Sequence, residues 1–199
     1  MNVKTVFWNR RMDMPIKIYI DQGHNPINPN AGAEGNGLRE QDITYKVGVA
    51  LADLLNANPA YTARLSRRTQ DVILGDSTAS SLAARTTEAN AWGADYFISL
   101  HTNAALDASA SGSEAYVYAL DSTAFYLAED ILEQLARSTG LRNRGVQARP
   151  TLYVLRKTAM PAVLVELGFI SNPSDAALMD RQPELFAEGV YNGIVSFTS

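Results

Sequence analysis

Cysteine is absent from the 199-residue chain, which excludes a disulfide framework, thiolate metal sites and a cysteine nucleophile. Long apolar runs are missing as well. None reaches bilayer-spanning length, and the opening MNVKTVFWNRRMDMP lacks the apolar core of a signal peptide. The chain is therefore expected to be soluble, with no membrane insertion. Excess positive charge is lacking too. The 17 basic residues against 21 acidic ones leave a formal charge of −4, which argues against nucleic acid or an anionic membrane surface as the main partner. Histidine is scarce, with two residues in all. Internal repeats, low-complexity segments and evident linkers are absent.

What remains is an ordinary globular composition, 46% hydrophobic and 19% charged with 13 glycines and 8 prolines, enough for one sizeable core. Apolar patterning alternates strand and helix. Strands are expected at 17–21, 61–66, 96–100, 115–120, 152–155 and 162–167. Helices are expected at 40–57, 81–92, 123–138 and 183–196, with Gly140 closing the third. The alternation predicts an α/β fold: a single mixed, mostly parallel sheet of about six strands with helices on both faces. Residues 1–15 are expected to be an N-terminal extension outside the core, and 16–199 a single domain.

Both histidines follow apolar runs. His24 comes behind KIYID and His101 behind YFISL, while Glu166 closes AVLVE. Ligand sites in open α/β sheets gather beyond the carboxyl ends of strands, so three acid-base or metal-ligating groups are expected on one rim. Two imidazoles, a carboxylate and a position for water form a recurring catalytic zinc set, and a further carboxylate nearby suits a general base. Pattern alone leaves the third ligand open among Glu34, Glu40 and Asp21. It also leaves open the plainer reading, in which each histidine is a hydrogen-bonded loop residue.

The motifs resemble those of the zinc-dependent N-acetylmuramoyl-L-alanine amidases, the amidase 3 family of bacterial cell-wall hydrolases, from about residue 17 to about residue 197. IYIDQGHN resembles the family's strand-plus-GH opening, although the family commonly has Asp-Pro-Gly-His-Gly there. GNGLREQD resembles its Gly-x-x-Gly-x-x-Glu segment, SLAARTTEAN its Leu-x-x-Arg-x-x-x-Ala-Asn helix, and YFISLHTNA the strand of its second histidine. RGVQARPTLYVLRKTAMPAVLVELGFISNPSD resembles its C-terminal signature.

The resemblance implies one zinc ion held by His24, Glu40 and His101, with Glu166 as acid-base. It implies hydrolysis of the amide between N-acetylmuramic acid and the L-alanine of the stem peptide by a zinc-activated water. Residues 16–199 would then be a catalytic amidase domain, a monomer whose partners are peptidoglycan and muropeptides. It would act at the bacterial cell wall, as an excised domain, a phage-type lysin or an autolysin released by a non-classical route. Two rival readings remain: a catalytically silent muropeptide-binding module, and a zinc peptidase cutting within the stem peptide.

Other residues carry less. Asn103 is placed to meet a sugar or peptide group, or only to satisfy its own loop. Arg144, in the Arg-Gly-Val turn, is a candidate for a stem-peptide carboxylate within a locally basic segment. Arg85 is expected to hold structure through a buried ion pair, and Asp42 to serve as a helix N-terminal charge. Glu114 is left outside the site. The stretch between Gly112 and Leu152 is too compact for a blocking helix, so an open cleft that needs no activator is expected.

Overall fold

Alternating side chains give the main sheet its two faces. The structure, a computed structural model, describes residues 14–199; residues 1–13 of the expected extension lie outside the described residues. The chain forms β1 (Ile16–Gln22), a small hairpin of β2 (Glu34–Gly35) and β3 (Leu38–Arg39), α1 (Glu40–Ala57) and β4 (Tyr61–Leu65). It continues with α2 (Thr78–Trp92), β5 (Tyr96–Asn103), β6 (Ser113–Val117), α3 (Thr123–Thr139) and β7 (Asn143–Ala148). The last elements are α4 (Tyr153–Lys157), β8 (Ala162–Phe169), α5 (Pro173–Arg181) and α6 (Pro183–Thr198).

The main sheet has six strands in the order β4-β1-β5-β8-β6-β7. All neighbours run parallel except β6 and β8, so the expected mixed, mostly parallel sheet is what forms. Ile18, Ile20, Ile98, Leu100, Val163 and Val165 point to one face, where α1, α3 and α6 pack on them. Tyr19, Phe97 and Leu164 point to the other, into a smaller cluster with α2 and α4. Helix ends carry their own signals. Ser77 forms a capping box with Ser80 at the start of α2, and Gly93 and Gly140 close α2 and α3 in the left-handed conformation.

One expected strand is a helix. Residues 152–155 form no strand; Tyr153–Lys157 is helical, with Val154 and Leu155 buried against α2. The sixth strand is instead Asn143–Ala148, an edge strand with four of six residues exposed. Two chemical groups also sit deeper than expected. β5 runs on through His101 to Asn103, and β8 continues three residues past Glu166 to Phe169.

Candidate active site

Along the face lined first by Tyr19, Phe97 and Leu164, polarity turns over toward one rim. Asp21, Ser99, His101 and Glu166 follow on the same side of the pleat. His101 and Glu166 are direct neighbours in register between β5 and β8. His24 stands just past β1 and Glu40 opens α1.

His24, Glu40 and His101 converge, each offering one ligand atom, with those atoms within 4.8 Å of one another. His24 Nε2 lies 3.2 Å from Glu40 Oε2 and His101 Nδ1 lies 3.0 Å from Glu40 Oε1. The rings meet edge to face at 4.9 Å between centroids. Two backbone amides hold the carboxylate between them. Thr102 N–H donates to Oε1 and Ala33 N–H to Oε2, each at 2.9 Å. Burial alone would raise the Glu40 pKa, but hydrogen bonds with His101 and His24 outweigh it and hold the carboxyl well below the usual range.

Two glycines make room for this packing. A Cβ at Gly32 would stand 2.8 Å from Glu40 Oε2 and 2.9 Å from His24 Cδ2. A Cβ at Gly23 would stand 2.5 Å from the Leu100 carbonyl and 2.7 Å from His101 Nε2. His24 itself has φ of 69°, in the left-handed region that a non-glycine residue seldom adopts. Arg85 holds it there: Nη2 donates to the His24 carbonyl at 2.6 Å, while Nη1 donates to the Gln22 carbonyl at 2.7 Å and to Asp21 Oδ1 at 2.5 Å.

That arrangement resolves the choice left open for the third group. Asp21 is buried and committed to Arg85 and Ser99, and Glu34 is exposed on the hairpin. Glu40 is the carboxylate that reaches both histidines. Arg85 is structural, as expected, and Asp42 pairs with Arg39 rather than with Glu40.

Glu166 has a different environment. Its Oε2 is buried with no hydrogen-bond partner. Burial raises its pKa to about 8, with the charges of Glu40 and Glu114 adding to the rise. Glu114, left outside the site by the sequence reading, faces Glu166 directly across β6 and β8. Asn103 Nδ2 donates to Glu114 Oε1 at 2.6 Å and Arg144 Nε donates to Oε2 at 3.0 Å. Asn103 and Arg144 thus meet each other through Glu114, which faces Glu166 across the strand pair. Gly23, Gly32 and Glu114 were missed; SEAYV puts Glu114 and Tyr116 on one face of the strand, but only the β6–β8 register turns that face toward Glu166.

Two imidazole nitrogens and a carboxylate oxygen form the donor set that suits zinc. A buried His24 Nδ1 without a partner adds a donor atom that hydrogen bonding leaves unused, so the residues fit a metal.

Residues 18–196 match the family model described as N-acetylmuramoyl-L-alanine amidase. The chain is 36% identical over 183 residues to the N-acetylmuramoyl-L-alanine amidase CwlM of Bacillus licheniformis, covering 90% of this chain and 67% of that protein. It resembles the catalytic domain of the amidase CwlV from Bacillus (Paenibacillus) polymyxa, with a TM-score of 0.79, 28% identity, and 92% and 97% of the two chains covered. The CwlD amidase of Clostridioides difficile, solved in complex with the GerS lipoprotein, matches with a TM-score of 0.84, 25% identity, and 92% and 98% covered.

Proposed function

The chain belongs to the N-acetylmuramoyl-L-alanine amidase family, and from that premise we propose that residues 16–199 act as one catalytic domain at the bacterial cell wall. The reaction is hydrolysis of the amide joining the lactyl group of N-acetylmuramic acid to L-alanine in peptidoglycan. One zinc ion is held by His24, Glu40 and His101. The observation that carries this reading is their convergence around a carboxylate pinned by two backbone amides, with an unpartnered Glu166 oxygen on the neighbouring strand.

When bound, zinc supplies Lewis acidity, making water a usable nucleophile near neutral pH and polarising the amide carbonyl. The rest falls to the chain. The Ala33 and Thr102 amides fix the Glu40 carboxylate so that it need not reorganise during turnover. Glu166 takes the proton released as water oxygen bonds to the carbonyl carbon, then returns a proton to the alanine nitrogen as the C–N bond breaks. Its Oε2, buried without a hydrogen-bond partner, leaves a lone pair free to take that proton. Arg144 and Asn103 meet at Glu114 beside Glu166, where a guanidinium would complement a stem-peptide carboxylate.

The helix inside the 112–152 stretch, α3, packs Leu127, Ile131, Leu132 and Leu135 on the core beside α6, so it is part of the fold and not an inserted plug. The cleft is accordingly expected to be open without an activator.

Digestion of purified peptidoglycan tests the reading. Wild type should release intact stem peptides from intact glycan strands, seen by mass analysis of the fragments, with no added protein. Glu166→Gln should lower the rate about 10²–10⁴-fold while zinc content stays at one ion. Fragments cut inside the peptide would identify a peptidase instead. No cleavage with zinc present would identify a muropeptide-binding module.

A further inference from the structure

Glu114 is 5% exposed and lies opposite Glu166 on adjacent antiparallel strands. Like charges directly opposed in a sheet are destabilising, so a second buried carboxylate here needs a reason. Its surroundings are unlike those of Glu166. Three donors converge on it: Asn103 Nδ2 and the Tyr116 hydroxyl, each 2.6 Å from Oε1, and Arg144 Nε, 3.0 Å from Oε2. Glu114 is saturated, whereas Glu166 keeps an unpartnered oxygen.

The saturation fixes the guanidinium. Arg144 Nε is held by Glu114, Nη1 donates to the Ser111 carbonyl at 3.3 Å, and the group lies 4.9 Å from the centre of the Phe169 ring. Its side chain is still one-third exposed, and among the described residues Nη2 has no protein partner. Asn103 is fixed in the same way, its Oδ1 accepting from Ala104 N–H at 2.9 Å while Nδ2 is drawn to Glu114. Glu40 and Glu114 are committed to donors of their own, so Arg144 offers an approaching anionic group an open donor edge.

We propose that Glu114 is a positioning residue: it locks Arg144 and Asn103 into a subsite for a free carboxylate of the peptide portion of the substrate. The proposal rests on the amidase reading and adds the substrate selection that reading leaves unassigned. A guanidinium held from behind loses little freedom when its outer edge meets a carboxylate, and that pre-organisation favours carboxylate over carboxamide.

The test uses an alanyl peptide bearing a free carboxylate, its carboxamide analogue, and two muropeptides differing in the same way. Binding of the peptides to the zinc-loaded protein is measured by calorimetry, and kcat and KM are measured on the muropeptides. Wild type should prefer the carboxylate form. In Glu114→Ala and Arg144→Met that preference should fall at least tenfold, with KM for the carboxylate substrate rising more than kcat falls. Glu114→Gln, which keeps an acceptor for Asn103 but loses the ion pair with Arg144, should fall between. Unfolding temperature and zinc content identify a variant that has simply misfolded, and Glu114→Gln is then the deciding variant. An unchanged preference in Glu114→Gln and Glu114→Ala overturns the proposal, as does an equal loss of kcat on both substrates with KM unmoved. If wild type cleaves neither muropeptide but the peptide preference responds to Glu114, the amidase reading fails and the subsite stands.

Discussion

Gly32 shows how little space separates a metal site from a clash. Its missing Cβ is what allows Glu40 and His24 to approach each other. Gly32→Ala should therefore weaken zinc binding roughly 10–100-fold, the range seen when the support of a ligand is disturbed, as read by competition with a chelator. Glu166 makes a second prediction. Its folded-state pKa of about 8 exceeds the ordinary 4.5, so folding favours the protonated form. The associated stability is present below pH 4.5 and is lost as the pH rises through about 8. In chelator-treated protein, Glu166→Gln should gain on wild type across that window, by on the order of 1–3 kcal/mol at the alkaline end. Urea unfolding at several pH values measures it, and parallel pH profiles for the two proteins would count against a buried, unpaired carboxylate.

Among the elements, β1 and α2 are joined by the Arg85–Asp21 pair, each side chain 1% exposed. Removing one partner of such a pair strands a charge in the interior and costs about 3–5 kcal/mol. Arg85→Met should lose stability on that scale by denaturant unfolding, and adding Asp21→Asn should recover part of it. The zinc content of folded Arg85→Met should also drop, because the guanidinium holds the His24 carbonyl in its left-handed turn.

Elements with strong apolar periodicity were legible in the sequence: α1, α3 and the buried central strands fall close to where the pattern puts them. Two segments were not. LYVL is short, apolar and rich in β-formers, and such a run does not separate strand from helix; packing of Val154 and Leu155 against α2 decided it. Asn143–Ala148 is an exposed edge strand held by backbone pairing to β6, so it carries no apolar signature. The histidines and Glu166 were legible because polar groups interrupt apolar strands there. Glu114 was not, because its role depends on a strand register and on Arg144, 30 residues away.

For the molecule as a whole, the proposed metal site would make metal binding and folding one equilibrium. The three candidate ligands come from the loop after β1, the start of α1 and the body of β5, and an unfolded chain does not bring these together. Zinc at 100 times its dissociation constant should add about 2.7 kcal/mol of stability. That is about 5–10 °C in melting temperature for a chain of this size, read by calorimetry with zinc against chelator. An unchanged melting temperature would mean that the three residues do not hold the ion.

The pairing of His101 with Glu166, and of Glu166 with Glu114, has a consequence for how preparations of this protein behave. If β8 slipped by one residue, Glu166 would rotate to the side occupied by Val163 and Val165 and enter the oily layer beneath α3 and α6. The error that disarms the enzyme is thus the same error that ruins its core. Chains misassembled in this way lose the core as well as the site and do not persist as inert, well-folded contaminants, so in zinc-saturated protein the number of working sites counted by titration should equal the number of folded molecules.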